Sequence, residues 1–133
     1  MLRYYICHKK AAESVSFRNA LNNDIPIIVT TTRWNRLQTK HLVDFDTETM
    51  TPPTTTDCIK FALQHPAVNI VLHSSRDEDE LDEALQPLIE RCLDSGSMNW
   101  LSHEKYEELL RYGSDEVKWN TDSFDEHPEE LQW

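Results

Sequence analysis

The chain has 133 residues, a formal net charge of -11 and 38% hydrophobic residues. This length suits one domain, and this hydrophobic content is enough for a packed core, so global disorder is not expected. No apolar run approaches the roughly 20 residues of a membrane-spanning helix, and the first residues lack the pattern of a signal peptide. The acidic balance argues against general binding to nucleic acid or to anionic membranes.

The use of cysteine and glycine excludes several kinds of site. Cys7, Cys58 and Cys92 are odd in number and far apart, so neither a disulfide framework nor a CxxC motif is present, and a reducing cytoplasm fits best. The glycines are Gly96 and Gly113 alone. Walker loops and GxGxxG turns each need several glycines, so P-loop and Rossmann dinucleotide sites are excluded and no cofactor is predicted.

The first half of the chain predicts strands separated by a helix. Residues 2–7 form a short apolar strand, residues 11–22 a helix, and residues 25–32 a second strand whose β-branched run suits burial on both faces. Residues 41–47 alternate in polarity as a further strand would.

The second half continues the alternation. A helix capped by Thr54 or Thr55 precedes a strand at residues 68–73. A long amphipathic helix then begins with a Ser75–Glu78 capping box, and a last helix occupies residues 102–112.

The long helix carries the clearest apolar pattern in the chain. Its spacing predicts one buried stripe, made of Leu81, Ala84, Leu85, Leu88, Ile89, Cys92 and Leu93. Pro87 lies within this helix and removes one backbone hydrogen bond.

Strands that alternate with helices predict an α/β fold. We expect a small layered domain at residues 1–113, with a mostly parallel sheet of three or four strands covered by helices. An acidic tail follows at residues 114–133. The carboxyl ends of parallel strands share one edge of a sheet, and ligands bind at that edge.

The basic residues are concentrated near the N-terminus. Residues 1–40 hold seven Lys or Arg against two acids, whereas residues 41–133 hold six against twenty-two. Three predicted strand ends combine cations with hydroxyl or imidazole groups: His8, Lys9 and Lys10; Thr31, Thr32 and Arg33; and His73, Ser74, Ser75 and Arg76. They predict a site for a phosphate, a nucleotide or a carboxylate. The alternative is that strand ends are polar because loops meet water.

Two groups of acidic residues each allow a structural and a functional interpretation. The run from Asp77 to Glu83 holds six acids, which complement the dipole of a helix start and would neutralise Arg76; a metal site is the lesser alternative. Asp44 and Asp46 share one side of a predicted strand. They are either outward-facing polar residues of an edge strand or a pair for Mg²⁺ or acid–base chemistry. No metal site is predicted.

The tail combines seven acids and one lysine with large aromatic side chains. Trp119, Phe124 and Trp133 predict that it either docks on a protein partner or folds back against the basic first third of the chain.

These features favour a small acidic binding or regulatory protein, an inhibitor or sequestering factor. It would engage a protein partner, a phosphate-bearing ligand at the strand edge, or both. Such compact acidic chains are frequent among bacteriophage-encoded factors, which act in the host cytoplasm. Nothing in the sequence specifies an oligomeric state.

Two other functions remain open. One is a small enzyme that hydrolyses a nucleotide or phosphate ester, with His8 or His73 as acid and base and Arg33 and Arg76 stabilising developing charge. It is less favoured because the sequence offers no nucleophile–base pair. The other is a mimic of nucleic-acid charge.

Overall fold

The computed structural model describes residues 1–4, 6, 12–30, 53–94, 96 and 99–113. Within these ranges the chain alternates between strands and helices, which confirms a mixed helix and strand fold. The elements are β1 (Leu2–Arg3), a π-helical segment (Ala12–Ser16) continuing into α1 (Phe17–Asn22), β2 (Ile27–Thr30), α2 (Thr55–Gln64), β3 (Val68–Leu72), α3 (Glu78–Leu93) and α4 (His103–Tyr112).

The described strands run parallel. β2 pairs with β3, and the two-residue β1 pairs with the other edge of β2. The carboxyl ends of these strands therefore lie at one edge of the sheet, as the alternation predicts. The strand predicted at residues 41–47 and the acidic tail at residues 114–133 lie outside the described residues, so the full number of strands and the division of the chain at residue 113 stay predictions.

A bulge at Asn69 decides which side chains of β3 face the core. Ile27 pairs with Val68, but Ile28 pairs with Ile70, so Asn69 is an extra residue. Its side-chain Oδ1 accepts a hydrogen bond from the Ile27 N–H at 2.8 Å. Val68 and the later Val71 consequently both point to the core, whereas Ile70 and Leu72 lie on the opposite face, about half exposed.

The core lies on one face of the sheet, where α1, α2 and α4 pack. Tyr4, Phe17 and Phe61 form an aromatic group, with ring centroids 4.8 Å apart for Tyr4 and Phe17 and 5.8 Å apart for Tyr4 and Phe61. Cys58 is fully buried, and this burial raises the pKa of its thiol. Phe17 and Ala20 of α1 are buried, whereas Leu21 of the same helix and Val15 of the π-helical segment are exposed.

The start of α2 follows its sequence signature. Thr54 is the N-cap: its hydroxyl accepts from the Asp57 N–H, and the Asp57 carboxylate accepts from the Thr54 N–H. This reciprocal pair satisfies two N–H groups that a helix start leaves free.

The long helix α3 packs on α2 through an unexpected face. Its inward residues are Glu80, Ala84, Pro87 and Arg91. Of the predicted buried stripe only Ala84 is among them, and the other six residues face outwards. The prediction that Cys92 and the leucines of this helix belong to the core is therefore wrong. The helix also begins later than predicted, because Asp77 and not Ser75 is its N-cap.

Pro87 explains one contact between these two helices. A proline has no N–H to donate, so the Glu83 carbonyl four residues earlier loses its partner within the helix. The Thr56 hydroxyl of α2 donates to that carbonyl at 2.7 Å. The bond that the proline removes inside α3 is thus replaced by a bond between α2 and α3.

The last helix is fixed at both ends. Ser102 caps its start by accepting from the Lys105 N–H, and Leu101 before it is buried. Gly113 follows its end, against the main chain of Ile6. A Cβ at Gly113 would lie 2.2 Å from the Ile6 carbonyl oxygen, so only glycine permits this approach.

Candidate functional site

Among the described elements, α3 carries the most exposed large hydrophobic side chains. We call this exposed face of α3 the outer stripe: Leu81, Leu85, Leu88, Ile89, Cys92 and Leu93. Its leucines and isoleucine are 40–84% exposed. Six apolar side chains on one helix face make a patch of the kind that marks interaction sites, whereas β3 exposes only Ile70 and Leu72.

Acidic side chains border the outer stripe at its N-terminal half. Glu78 lies three residues before Leu81 and continues the line of the stripe at its N-terminal end, and Asp82 lies three residues before Leu85 and flanks the stripe. Asp79 lies beside Asp82, and all three carboxylates are exposed. This half of the surface therefore combines apolar contact area with negative charge.

The predicted anion site at the strand ends is described only in part. His73 and Ser75 are half-buried, and Ser74 and Arg76 are exposed, at the carboxyl end of β3. The other predicted ligand-binding residues lie outside the described residues: His8, Lys9, Lys10, Thr31, Thr32 and Arg33. The convergence of the three strand ends on one ligand stays a prediction.

Arg76 is already engaged by a buried carboxylate. Glu80 is 4% exposed and accepts from the Arg76 N–H at 2.6 Å and from its Nε at 3.2 Å. The Arg76 Nη2 lies 3.1 Å from the same Glu80 Oε1. An anionic ligand at Arg76 would have to compete with Glu80, and Asp77 already accepts the Glu80 N–H at the helix start.

A cleft of about 380 Å³ lies between α2, the end of α3 and the start of α4. The Arg91 guanidinium stacks over the Trp100 indole, 4.6 Å from the ring centroid. Lys60 is paired with Glu90 across the cleft. His103 also lines it. Arg91 Nη1 is buried and has no hydrogen-bond partner within the part of the chain that the structure describes. The cleft therefore offers an indole and a stacked cation whose donors are not all used.

Glu13 and His65 are polar side chains that lie beside Tyr4 at the core. The Tyr4 hydroxyl donates to Glu13 Oε1 at 2.7 Å, and burial together with this hydrogen bond raises the pKa of Tyr4. His65 Nδ1 accepts from the Ala67 N–H at 3.2 Å, and its ring centroid is 4.5 Å from that of Phe17. Burial lowers the pKa of His65, with Glu13 acting in the opposite direction. These contacts stabilise neutral Tyr4 and neutral His65.

No group of three or more metal-ligating side chains occurs within the residues that the structure describes. Asp44 and Asp46 fall outside those residues, as do the predicted partner-binding residues Trp119, Phe124 and Trp133. None of the helices in the described ranges is both long and apolar enough to cross a bilayer.

Sequence reasoning missed the cleft, since Lys60, Arg91 and Trp100 are far apart along the chain. Glu80 is one of the six acids that the sequence predicts to neutralise Arg76, and it lies four residues after that arginine.

Comparison with known proteins finds no matching family model, no matching curated protein and no matching solved structure.

Proposed function

We propose that this protein is a small acidic binding or regulatory protein that engages a protein partner through the outer stripe of α3. One observation carries the proposal: a regular apolar helix face that the fold leaves exposed. Covering the remaining exposed area of each such leucine would stabilise a complex by roughly 1–2 kcal/mol per residue, before the costs of association.

The chemistry of the described surface supports a binding function over catalysis. The Arg76 guanidinium is paired with the Glu80 carboxylate. The enzyme hypothesis needs this guanidinium to stabilise developing charge on a substrate. In the cleft beside Trp100, Lys60 is already paired with Glu90. A phosphate-bearing ligand at the strand edge, with or without turnover, remains the second hypothesis, and the acidic tail remains a further proposed contact with the partner. Charge mimicry is the third hypothesis.

The proposed compartment is a reducing cytoplasm, that of the host if the chain is phage-encoded. Cys92 supports this compartment because it is a free and exposed thiol, and Cys58 is also free. An exposed thiol in an apolar patch is prone to oxidation outside a reducing environment.

The test compares capture of proteins by the native chain and by two variants. Leu85→Ser/Leu88→Ser removes the centre of the outer stripe, and Leu21→Ser is the matched control because Leu21 on α1 is equally exposed, at 51% against 53% for Leu88. Each chain is immobilised and exposed to an extract of the cells in which the protein is made, and bound proteins are quantified and then tested in purified form.

We expect a partner that binds the native chain and Leu21→Ser alike and binds the double variant at least about ten-fold more weakly. Equal binding by all three chains would contradict the proposal. A nucleotide that raises the melting temperature would support a ligand at the strand edge instead, and turnover of that nucleotide would support the enzyme. Partner binding that DNA displaces and salt weakens steeply would support charge mimicry.

A further inference from the structure

The spacing of the outer stripe indicates the shape of its partner. Leu81, Leu85, Leu88 and Cys92 are separated by four, three and four residues, the intervals of a seam that packs against one other helix. Ile89 and Leu93 widen this seam on one side. From Leu81 to Leu93 the seam runs about 18 Å along the axis, so it matches about three turns of a partner helix.

The charges beside the seam indicate the sign of the charge on that partner. Exposed Glu78, Asp79 and Asp82 stand at its N-terminal half. The one basic residue of α3 is Arg91, which is directed inwards over Trp100. A helix that lies along this seam meets carboxylates that have no cation of α3 beside them, and lysine or arginine at its own flanks would complement them.

Two other occupants are disfavoured by the same charges. A second copy of the chain would bring its own acidic α3 and a net charge of -11 against the first. The tail at residues 114–133 carries seven acids and one lysine, so it too would set like charges together. A second copy remains an outcome of the test.

We infer that the outer stripe binds one amphipathic α-helix of a partner protein, with leucine-type residues at three- and four-residue intervals and with basic flanks that face Glu78, Asp79 and Asp82. This inference rests on the proposed function, because it names the kind of partner that the same surface takes.

The probes are two synthetic peptides of matched helical propensity. Both carry leucines at alternating intervals of three and four residues; one has lysine at the flanking positions and the other has glutamate. Fluorescence anisotropy measures their binding to the full-length chain, and circular dichroism measures helix formation on binding. We expect the lysine peptide to become helical and to bind roughly ten-fold more tightly at about 50 mM salt, with the preference shrinking at about 500 mM.

Two pairs of variants show which residues of the surface cause the binding and the preference for the lysine peptide. Asp79→Lys/Asp82→Lys should transfer the preference to the glutamate peptide. Glu104→Lys/Glu107→Lys is the matched control, because Glu104 occupies the second position of α4 as Asp79 does of α3 and the spacing is the same. Leu85→Ser/Leu88→Ser should weaken both peptides by about ten-fold, and Leu21→Ser should weaken neither.

The outcomes separate the inference from the proposed function. Two peptides that bind equally, with loss on Leu85→Ser/Leu88→Ser, would overturn the basic partner and leave the surface in place. Peptide binding that survives Leu85→Ser/Leu88→Ser would overturn the inference, and equal capture of a partner protein by that variant would overturn the proposed function as well. Sedimentation that shows a dimer lost in that variant would assign the stripe to a second copy. If neither peptide binds but a captured protein depends on Leu85 and Leu88, the partner is not a basic helix and the proposed function stands.

Discussion

Thr54 and Thr55 are neighbours at the start of α2, but their hydroxyl groups have opposite surroundings. The Thr54 hydroxyl accepts from the Asp57 N–H and caps the helix. Thr55 is fully buried, and its Oγ1 has no hydrogen-bond partner among the described residues. A buried hydroxyl without a partner costs free energy that an isosteric methyl group does not.

We therefore expect Thr55→Val to raise the free energy of unfolding by about 1 kcal/mol. Thr54→Val is the control and should lower it by about 1 kcal/mol, since it removes the cap. Denaturant unfolding measures both as shifts of the midpoint at constant slope. A loss of stability in Thr55→Val would mean that this hydroxyl has a partner after all.

These two threonines also show how far the sequence predicts the role of a single residue. The sequence limits the cap to Thr54 or Thr55, because either fits the pattern. Only the tertiary arrangement decides between them, by burying Thr55. At α3 the pattern predicts Ser75 as the cap, whereas Asp77 takes that place and Glu80 accepts from the Arg76 N–H. A chain with several acids in succession offers competing caps, and sequence alone does not rank them.

At the scale of elements, the prediction for α3 was right about the helix and wrong about its orientation. The periodicity of Leu81, Leu85 and Leu88 correctly indicates one apolar face. Periodicity does not reveal what covers that face. The helix packs on α2 instead through the face that contains Ala84 and Pro87. On this face the Thr56 hydroxyl donates to the Glu83 carbonyl, which Pro87 cannot reach with an N–H.

This contact between elements predicts an energetic coupling of Thr56 and Pro87. Thr56→Val should cost roughly 0.5–1.5 kcal/mol, because it leaves the Glu83 carbonyl without its donor. In a Pro87→Ala background that cost should nearly vanish, since the N–H of the introduced alanine can donate to the same carbonyl within the helix. A double-mutant cycle measures the coupling. Additive effects of the two substitutions would contradict the explanation of this bond.

At the scale of the whole molecule, His65 lies where β1, α1 and α2 meet, with its ring near Tyr4 and Phe17. Burial lowers its pKa below the ordinary value of 6.5, so the folded state favours the neutral ring. Below pH 6.5 the unfolded chain binds a proton that the folded chain resists. The contribution of His65 to stability is therefore complete above that pH and is lost as the pH falls.

We expect the difference in unfolding free energy between the native chain and His65→Gln to shrink as the pH is lowered from about 7.5 towards about 5. Urea unfolding at a series of pH values measures it, and the difference removes the contribution of the many carboxylates common to both chains. A difference that does not change with pH would contradict the burial of a neutral ring.

The parallel pairing of the described strands was the most predictable property, because helices alternate with the runs at residues 25–32 and 68–73. Predicted strand ends are less exact: β2 is Ile27–Thr30 and β3 is Val68–Leu72. The candidate binding surface was the least predictable. Its residues were recognised, but the same apolar spacing describes a buried stripe and an exposed one.

The bulge residue Asn69 in β3 has a consequence for deletions in this strand. In most strands a one-residue deletion turns every later side chain to the other face. Removing Asn69 instead leaves Val68 opposite Ile27 and Ile70 opposite Ile28, which is an uninterrupted ladder with the same neighbours. Among the described strands, we therefore expect position 69 to be where the sheet tolerates a shorter sequence without exchanging its two sides.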